Sequence, residues 1–127
     1  MEPIHLFDLA SRHAQWASVR QVTISGNIAN ANTPGYRALD VEPFTAVLDK
    51  TALAMAQTRP GHLDVTGTGV EPGKVAKQDS WDITHSGNSV SLDQELIKAG
   101  EVNRAYSLNT SIVRSFHKML LSVVRSG

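Results

Sequence analysis

The chain has 127 residues, twelve Lys plus Arg against twelve Asp plus Glu, and no cysteine. Zero formal charge and a pI near 7.0 exclude an overall basic field for nucleic acid or anionic lipid, and the missing thiols exclude disulfides, thiolate zinc sites and cysteine nucleophiles together. The length fits one domain or elongated module, and an aromatic share of 6% is thin for a globular core, so burial is expected from helix seams or partner chains.

The opening Met1-Glu2-Pro3-Ile4-His5-Leu6 offers neither a basic n-region nor an apolar h-region, so no cleavable signal peptide is expected. No run reaches the roughly 20 apolar residues of a membrane-spanning helix. From residue 4 to 31, Phe7, Ala10, Ala14, Ala17, Ile24, Ile28 and Ala31 recur at alternating steps of three and four, with Gln21 as the one interruption. This predicts a helix about 40 Å long with a lean, alanine-rich heptad seam.

That helix runs into Asn27, Asn30 and Asn32, whose side chains compete for backbone hydrogen bonds and suit a free helix poorly. Pro34 bars the α conformation at Thr33. Gly35 can take a positive φ, so Thr33-Pro34-Gly35-Tyr36 fits a type II turn. The asparagines are either tolerated residues of a helix end or groups that bond something specific, such as the same groups on a stacked copy. Residues 1–36 therefore form a first unit of helix plus turn.

Residues 37–90 show no sustained period and are expected to be a small, irregular or short-stranded insert, partly flexible until a partner orders it. Val41 to Leu48 and Thr51 to Gln57 predict short helical or extended pieces. Leu63-Asp64-Val65-Thr66 and Ser80-Trp81-Asp82-Ile83-Thr84 alternate like edge strands. Gly87-Asn88 reads as a turn.

Residues 91–127 predict a second long helix. Leu92, Leu96, Ala99, Tyr106, Val113, Leu120 and Val124 keep the heptad steps, with Asn103, Thr110 and His117 as polar members, and Leu108, Ile112, Phe116, Met119 and Val123 widen the apolar face. Ser91 with Gln94 predicts a capping box, and Asp93 suits the first turn. Gly100, at a cost of about 0.5–1 kcal/mol relative to alanine, is expected to mark a bend or a close contact. The fold class is mainly α: two terminal helices paired as an antiparallel, coiled-coil hairpin around a small middle insert.

Nothing points to catalysis. His5 and His13 lie about 12 Å apart along one helix face, too far to share an ion. His62, His85 and His117 have no ligand-spaced partner, and neither HExxH, a phosphate loop nor a nucleophile elbow occurs. No enzyme activity, metal or cofactor is expected.

The decapeptide Asn27-Ile28-Ala29-Asn30-Ala31-Asn32-Thr33-Pro34-Gly35-Tyr36 resembles the N-terminal signature of the bacterial flagellar axial proteins, and Arg37 to Phe44 and Gly87 to Glu95 are similar to the proximal-rod members of that family. Ser25-Gly26 departs from it, since the family commonly has Asn-Asn or a similar polar pair there. The resemblance implies a structural subunit of the flagellar basal-body rod, on the periplasmic side, exported by the flagellar type III apparatus without a cleavable signal. It implies self-association and packing against other rod and basal-body subunits through the terminal helices, with Asn27, Ile28, Asn30, Asn32, Pro34, Gly35 and Tyr36 as an assembly motif. The competing reading is a soluble helical adaptor that binds a partner helix through the wide C-terminal apolar face.

Overall fold

The computed structural model describes residues 3–49 and 75–127. Helix α1 covers Pro3–Ala29 and helix α2 covers Leu92–Ser126. Residues poorly suited to a helix interior are accommodated in α1 by bonding backwards: the Thr23 hydroxyl donates to Val19 O at 2.9 Å and the Ser25 hydroxyl to Gln21 O at 2.9 Å.

Three contacts fix the two helices as antiparallel. The Phe7 ring meets Phe116 edge-on at 5.7 Å, the Asn109 amide donates to Ala10 O at 3.0 Å, and the Asn27 amide donates to Glu95 at 3.1 Å. As one index rises the other falls. With 35 residues against 27, α2 is longer by about 12 Å and runs past the start of α1.

Strands β1 (Leu39–Val41) and β2 (Val75–Lys77) pair antiparallel, with Leu39 opposite Lys77, Asp40 opposite Ala76 and Val41 opposite Val75. Residues 44–49 are helical, so the Val41 to Leu48 segment is strand first and helix after. Trp16, Ala17, Ile24, Val41, Val47 and Val102 form the core, flanked by Val19, Phe44 and Ala99. It is a small core, and Ala17 within it is 1% exposed. Beside it His13 sits edge-on to Phe44 at 4.9 Å, and burial pushes its pKa below the usual imidazole range, so it serves as a neutral aromatic ring.

Several expectations need correction. Ser80–Thr84 is not a strand: its polar groups close local turns, the Ser80 hydroxyl bonding Asp82 O at 2.6 Å and Ser89 O at 2.6 Å, and Thr84 N bonding Asn88 O at 3.0 Å. The capping box does not form. Ser91 occupies the N-cap without a side-chain bond, because Gln94 is buried and its amide donates to Asp79 O at 3.2 Å instead. Gly100 marks no close contact, since a Cβ there would meet nothing within 4 Å. The segments Thr51 to Gln57 and Leu63 to Thr66 lie outside the described residues.

On the seams, Ala10, Ala17 and Ile24 are buried and Phe7 and Ala14 half-buried. Ile28 is 39% exposed, and Asn27 takes the inward place beside it. On α2, Ala99, Val113 and Leu120 are half-buried, whereas Leu96, Tyr106 and Val124 face outward at 63%, 54% and 76% exposure. The inward row steps instead through Glu95, Ala99, Val102, Asn109, Val113, Phe116 and Leu120. This rotation carries the two polar bonds, Asn27–Glu95 and Asn109–Ala10, and Val124 lies where α2 has run past the start of α1.

Two substitutions check this packing. Ile24→Ala removes a side chain that is 1% exposed and is expected to lower stability to urea by about 2–4 kcal/mol. Gly100→Ala is expected to raise it by about 0.5–1 kcal/mol, because the added methyl has open space and the helix is unstrained.

Candidate functional site

The helix of α1 gives way at Ala29 to a tighter turn, in which Asn30 N donates to Gly26 O at 3.2 Å and to Asn27 O at 3.1 Å. Tyr36 N then donates to Thr33 O at 3.2 Å and Gly35 takes φ +72°, the bond and the dihedral of a type II turn over Thr33-Pro34-Gly35-Tyr36. A helix end leaves carbonyls without partners. Here Asn88 supplies them: its amide nitrogen lies 2.8 Å from Asn30 O, 3.0 Å from Ala31 O and 2.8 Å from Thr33 O. Asn88 is held in turn by Val90 N, which donates to its Oδ1 at 2.8 Å.

The strand of contacts continues past the turn. Gly35 N donates to Ser86 O at 2.8 Å, and Gly87 (φ +79°) packs so near that a Cβ on it would lie 3.6 Å from Gly35 Cα. Ser89 N donates to Tyr36 O at 3.0 Å, and Ala38 N donates to the Ser89 hydroxyl at 2.8 Å. The segment after the first helix and the segment before the second are therefore one polar joint.

Asn27 is its centre, with no exposed surface. Its amide donates to Leu39 O at 2.7 Å and to Glu95 Oε2 at 3.1 Å, while its Oδ1 accepts from Leu39 N at 3.0 Å and from the Tyr36 hydroxyl at 3.4 Å. The side chain acts as a strand neighbour to Leu39 and ties α1, β1 and α2 at one point. Behind it Asp40 accepts from Lys98 Nζ at 2.8 Å and from Arg20 Nε at 3.2 Å; Lys98 Nζ lies 3.8 Å from Glu95 Oε1, and Arg20 lies 3.6 Å from Glu101. Burial alone would raise the Asp40 pKa, but hydrogen bonds from Lys98, Arg20 and Val41 N and the Arg20 charge outweigh it and hold the carboxyl below its usual range.

The motif residues thus divide. Asn27, Asn30, Gly35 and Tyr36 are engaged within the chain, Asn30 through its amide to Gly26 O at 2.8 Å. Asn32 and Pro34 are exposed, and the Asn32 side chain has no hydrogen bond among the described residues. An asparagine ladder between copies cannot include Asn27, whose bonds are used inside the monomer. Sequence reasoning missed Asn88, Ser89 and Glu95 as members of the joint. The only signal was their place in the Gly87 to Glu95 run, read there as a turn and a helix start. Among the described residues no group of three His, Asp or Glu could hold a metal ion, and no helix is long and apolar enough to cross a membrane.

The sequence that builds the first half of the joint is similar to known proteins. The family model described as flagella basal body rod protein matches residues 10–37, the stretch from the Ala10 contact to the end of the turn. The chain is 47% identical to the flagellar basal body rod protein FlgB of Agrobacterium fabrum over 132 residues, covering 98% of this chain and 96% of that relative. The chain belongs to the FlgB-type flagellar basal-body rod protein family. Its FlgB relatives in Escherichia coli and Buchnera aphidicola are 30% and 27% identical, over 85% and 94% of this chain and 84% and 94% of theirs. The rod-protein match stops at residue 37, short of Asn88 and Glu95, the residues that complete the joint in this member.

Three measurements probe the joint. Asn27→Ala removes the hydrogen bond to the fully buried Glu95 and those to both polar groups of Leu39, with an expected loss of about 3 kcal/mol in chemical denaturation. Gly35→Val is expected to cost about 1–3 kcal/mol by conformational strain, since no atom crowds the site. Because Asp40 is more acidic folded than unfolded, its stabilisation is complete above the unfolded carboxyl pKa of about 3.9 and is lost as pH falls below it. Asp40→Asn should therefore flatten the acid limb of the stability curve.

Proposed function

We propose that this chain is a structural subunit of the flagellar basal-body rod that assembles through its terminal helices after type III export to the periplasmic side. The 47% identity to FlgB over nearly the whole chain carries this reading. The geometry supports it in two ways. First, α2 keeps an outward stripe of Leu108, Ile112, Met119 and Val123, exposed at 63%, 44%, 55% and 68%, more apolar surface than an isolated helix hairpin has reason to display. Second, the joint uses one part of the sequence motif to build the monomer and leaves Ile28, Asn32 and Pro34 outside for neighbours.

In this reading the other rod and basal-body subunits, and further copies of the chain, cover the outer stripe, and the rod is held by coiled-coil contacts between chains. The small core suits a chain that travels unfolded and gains most of its burial on assembly.

A deletion strain complemented with variants tests it. The native gene should restore rods and motility. Ile112→Asp with Met119→Asp changes only exposed side chains, so monomer stability should move by less than about 0.5 kcal/mol per site while rods fail to form. A deletion strain that still built complete flagella would overturn the reading, and a stable complex with one non-flagellar helix would favour an adaptor.

A further inference from the structure

Charge is segregated along the chain. All twelve carboxylates lie before residue 102, together with eight of the cations; residues 102–127 hold Arg104, Arg114, Lys118 and Arg125 and no acid. On α2, Arg114, Lys118, Leu121 and Arg125 follow steps of four, three and four, which puts them in one row on one face. All four are exposed, Leu121 by 49%, and none of the three cations has an ion pair among the described residues. Arg125 suits the C-terminal end of the helix dipole. That effect fades within a turn and does not account for Arg114 or Lys118.

At the other end of the hairpin, the loop 80–84 holds Trp81 at 67% and Ile83 at 54% exposure, on either side of an exposed Asp82 with no ion pair among the described residues. An exposed tryptophan beside an unpaired carboxylate matches a row of cations around a leucine. The indole can lie on Leu121 and against a guanidinium or ammonium, Asp82 can sit among the cations, and Ile83 can cover their aliphatic stems. Arg37 and Lys77 are also exposed near this end, on the side of the strands and outside the 79–83 segment.

The loop is tied to the first turn of α2 through Asp79 and Gln94, and Lys118 lies 24 residues further on, about 36 Å along the helix. A chain cannot bring these two surfaces together by itself. We propose that the Trp81-Asp82-Ile83 loop of one copy seats on the Arg114–Arg125 row of a second copy, head to tail. The two surfaces differ, so the contact is heterologous and leaves an unused surface at each end, open to further addition. This rests on the reading of the chain as a self-associating rod subunit and names the surfaces that meet.

Sedimentation velocity of the purified full chain over a concentration series, at low salt, tests it. Trp81→Ala should weaken self-association at least about tenfold with an unchanged circular dichroism spectrum, since interface tryptophans dominate such contacts. Arg114→Glu with Lys118→Glu should do the same, and adding Asp82→Lys to that pair should restore association. Salt near 1 M, where the screening length is about 3 Å, should weaken the native contact. Trp81→Ala associating as well as the native chain, a charge swap that restores nothing, or a native chain that stays monomeric would each overturn the proposal. Complementation of motility by the native gene reads the rod assignment separately, so the two can fail independently.

Discussion

One amide holds this fold in register. Asn27 presents a donor and an acceptor to the backbone of Leu39, as a paired strand would, and its second donor reaches Glu95 on the opposite helix. A leucine there would bury more apolar area but would leave the polar groups of Leu39 without their side-chain bonds and Glu95 with only its Lys98 ion pair, in a place closed to water. The polar choice sacrifices some hydrophobic gain and gains a single rotation and a single register. In a hairpin whose core has few large side chains, apolar packing alone would discriminate weakly between neighbouring registers, because alanine seams slide at little cost.

The same logic explains which features were legible in the sequence. The two helices, their antiparallel pairing and the Pro34-Gly35 turn follow from periodicity and from residues whose backbone preferences are strong and local. The rotation of α2 does not. Leu96 and Tyr106 belong to the more apolar row, yet the row containing Glu95 and Asn109 faces inward, where the buried carboxylate and the half-buried amide find partners on α1, while Val124 lies past the start of α1. Periodicity counts apolar residues and has no measure of a bond that closes over 68 positions. Asn88 escaped notice for the same reason: as a turn residue it is ordinary, and only the three carbonyls it meets make it a helix cap.

Within the asparagine motif, the structure separates two duties that the string of letters presents as one. Asn27 and Asn30 belong to the monomer, and the exposed Asn32 does not. The strand expected at Ser80–Thr84 and the capping box expected at Ser91 both gave way to other polar bonds. At Ser80 and Thr84 the hydroxyls bond backbone oxygens of the turns, the usual behaviour of serine and threonine there, whereas at Ser91 the Gln94 amide is committed to Asp79 O.

The joint at Asn88 also has a temporal meaning. The long-range partners that close the end of α1, Ser86, Asn88, Ser89 and Glu95, come from more than fifty positions downstream, so loop closure must precede any reward from these bonds. Until the last third of the chain is in place, the signature residues hold only their local partners, Leu39 among them. High contact order at this one point works as a delay: the first helix stays without its distant clasp until the second helix arrives.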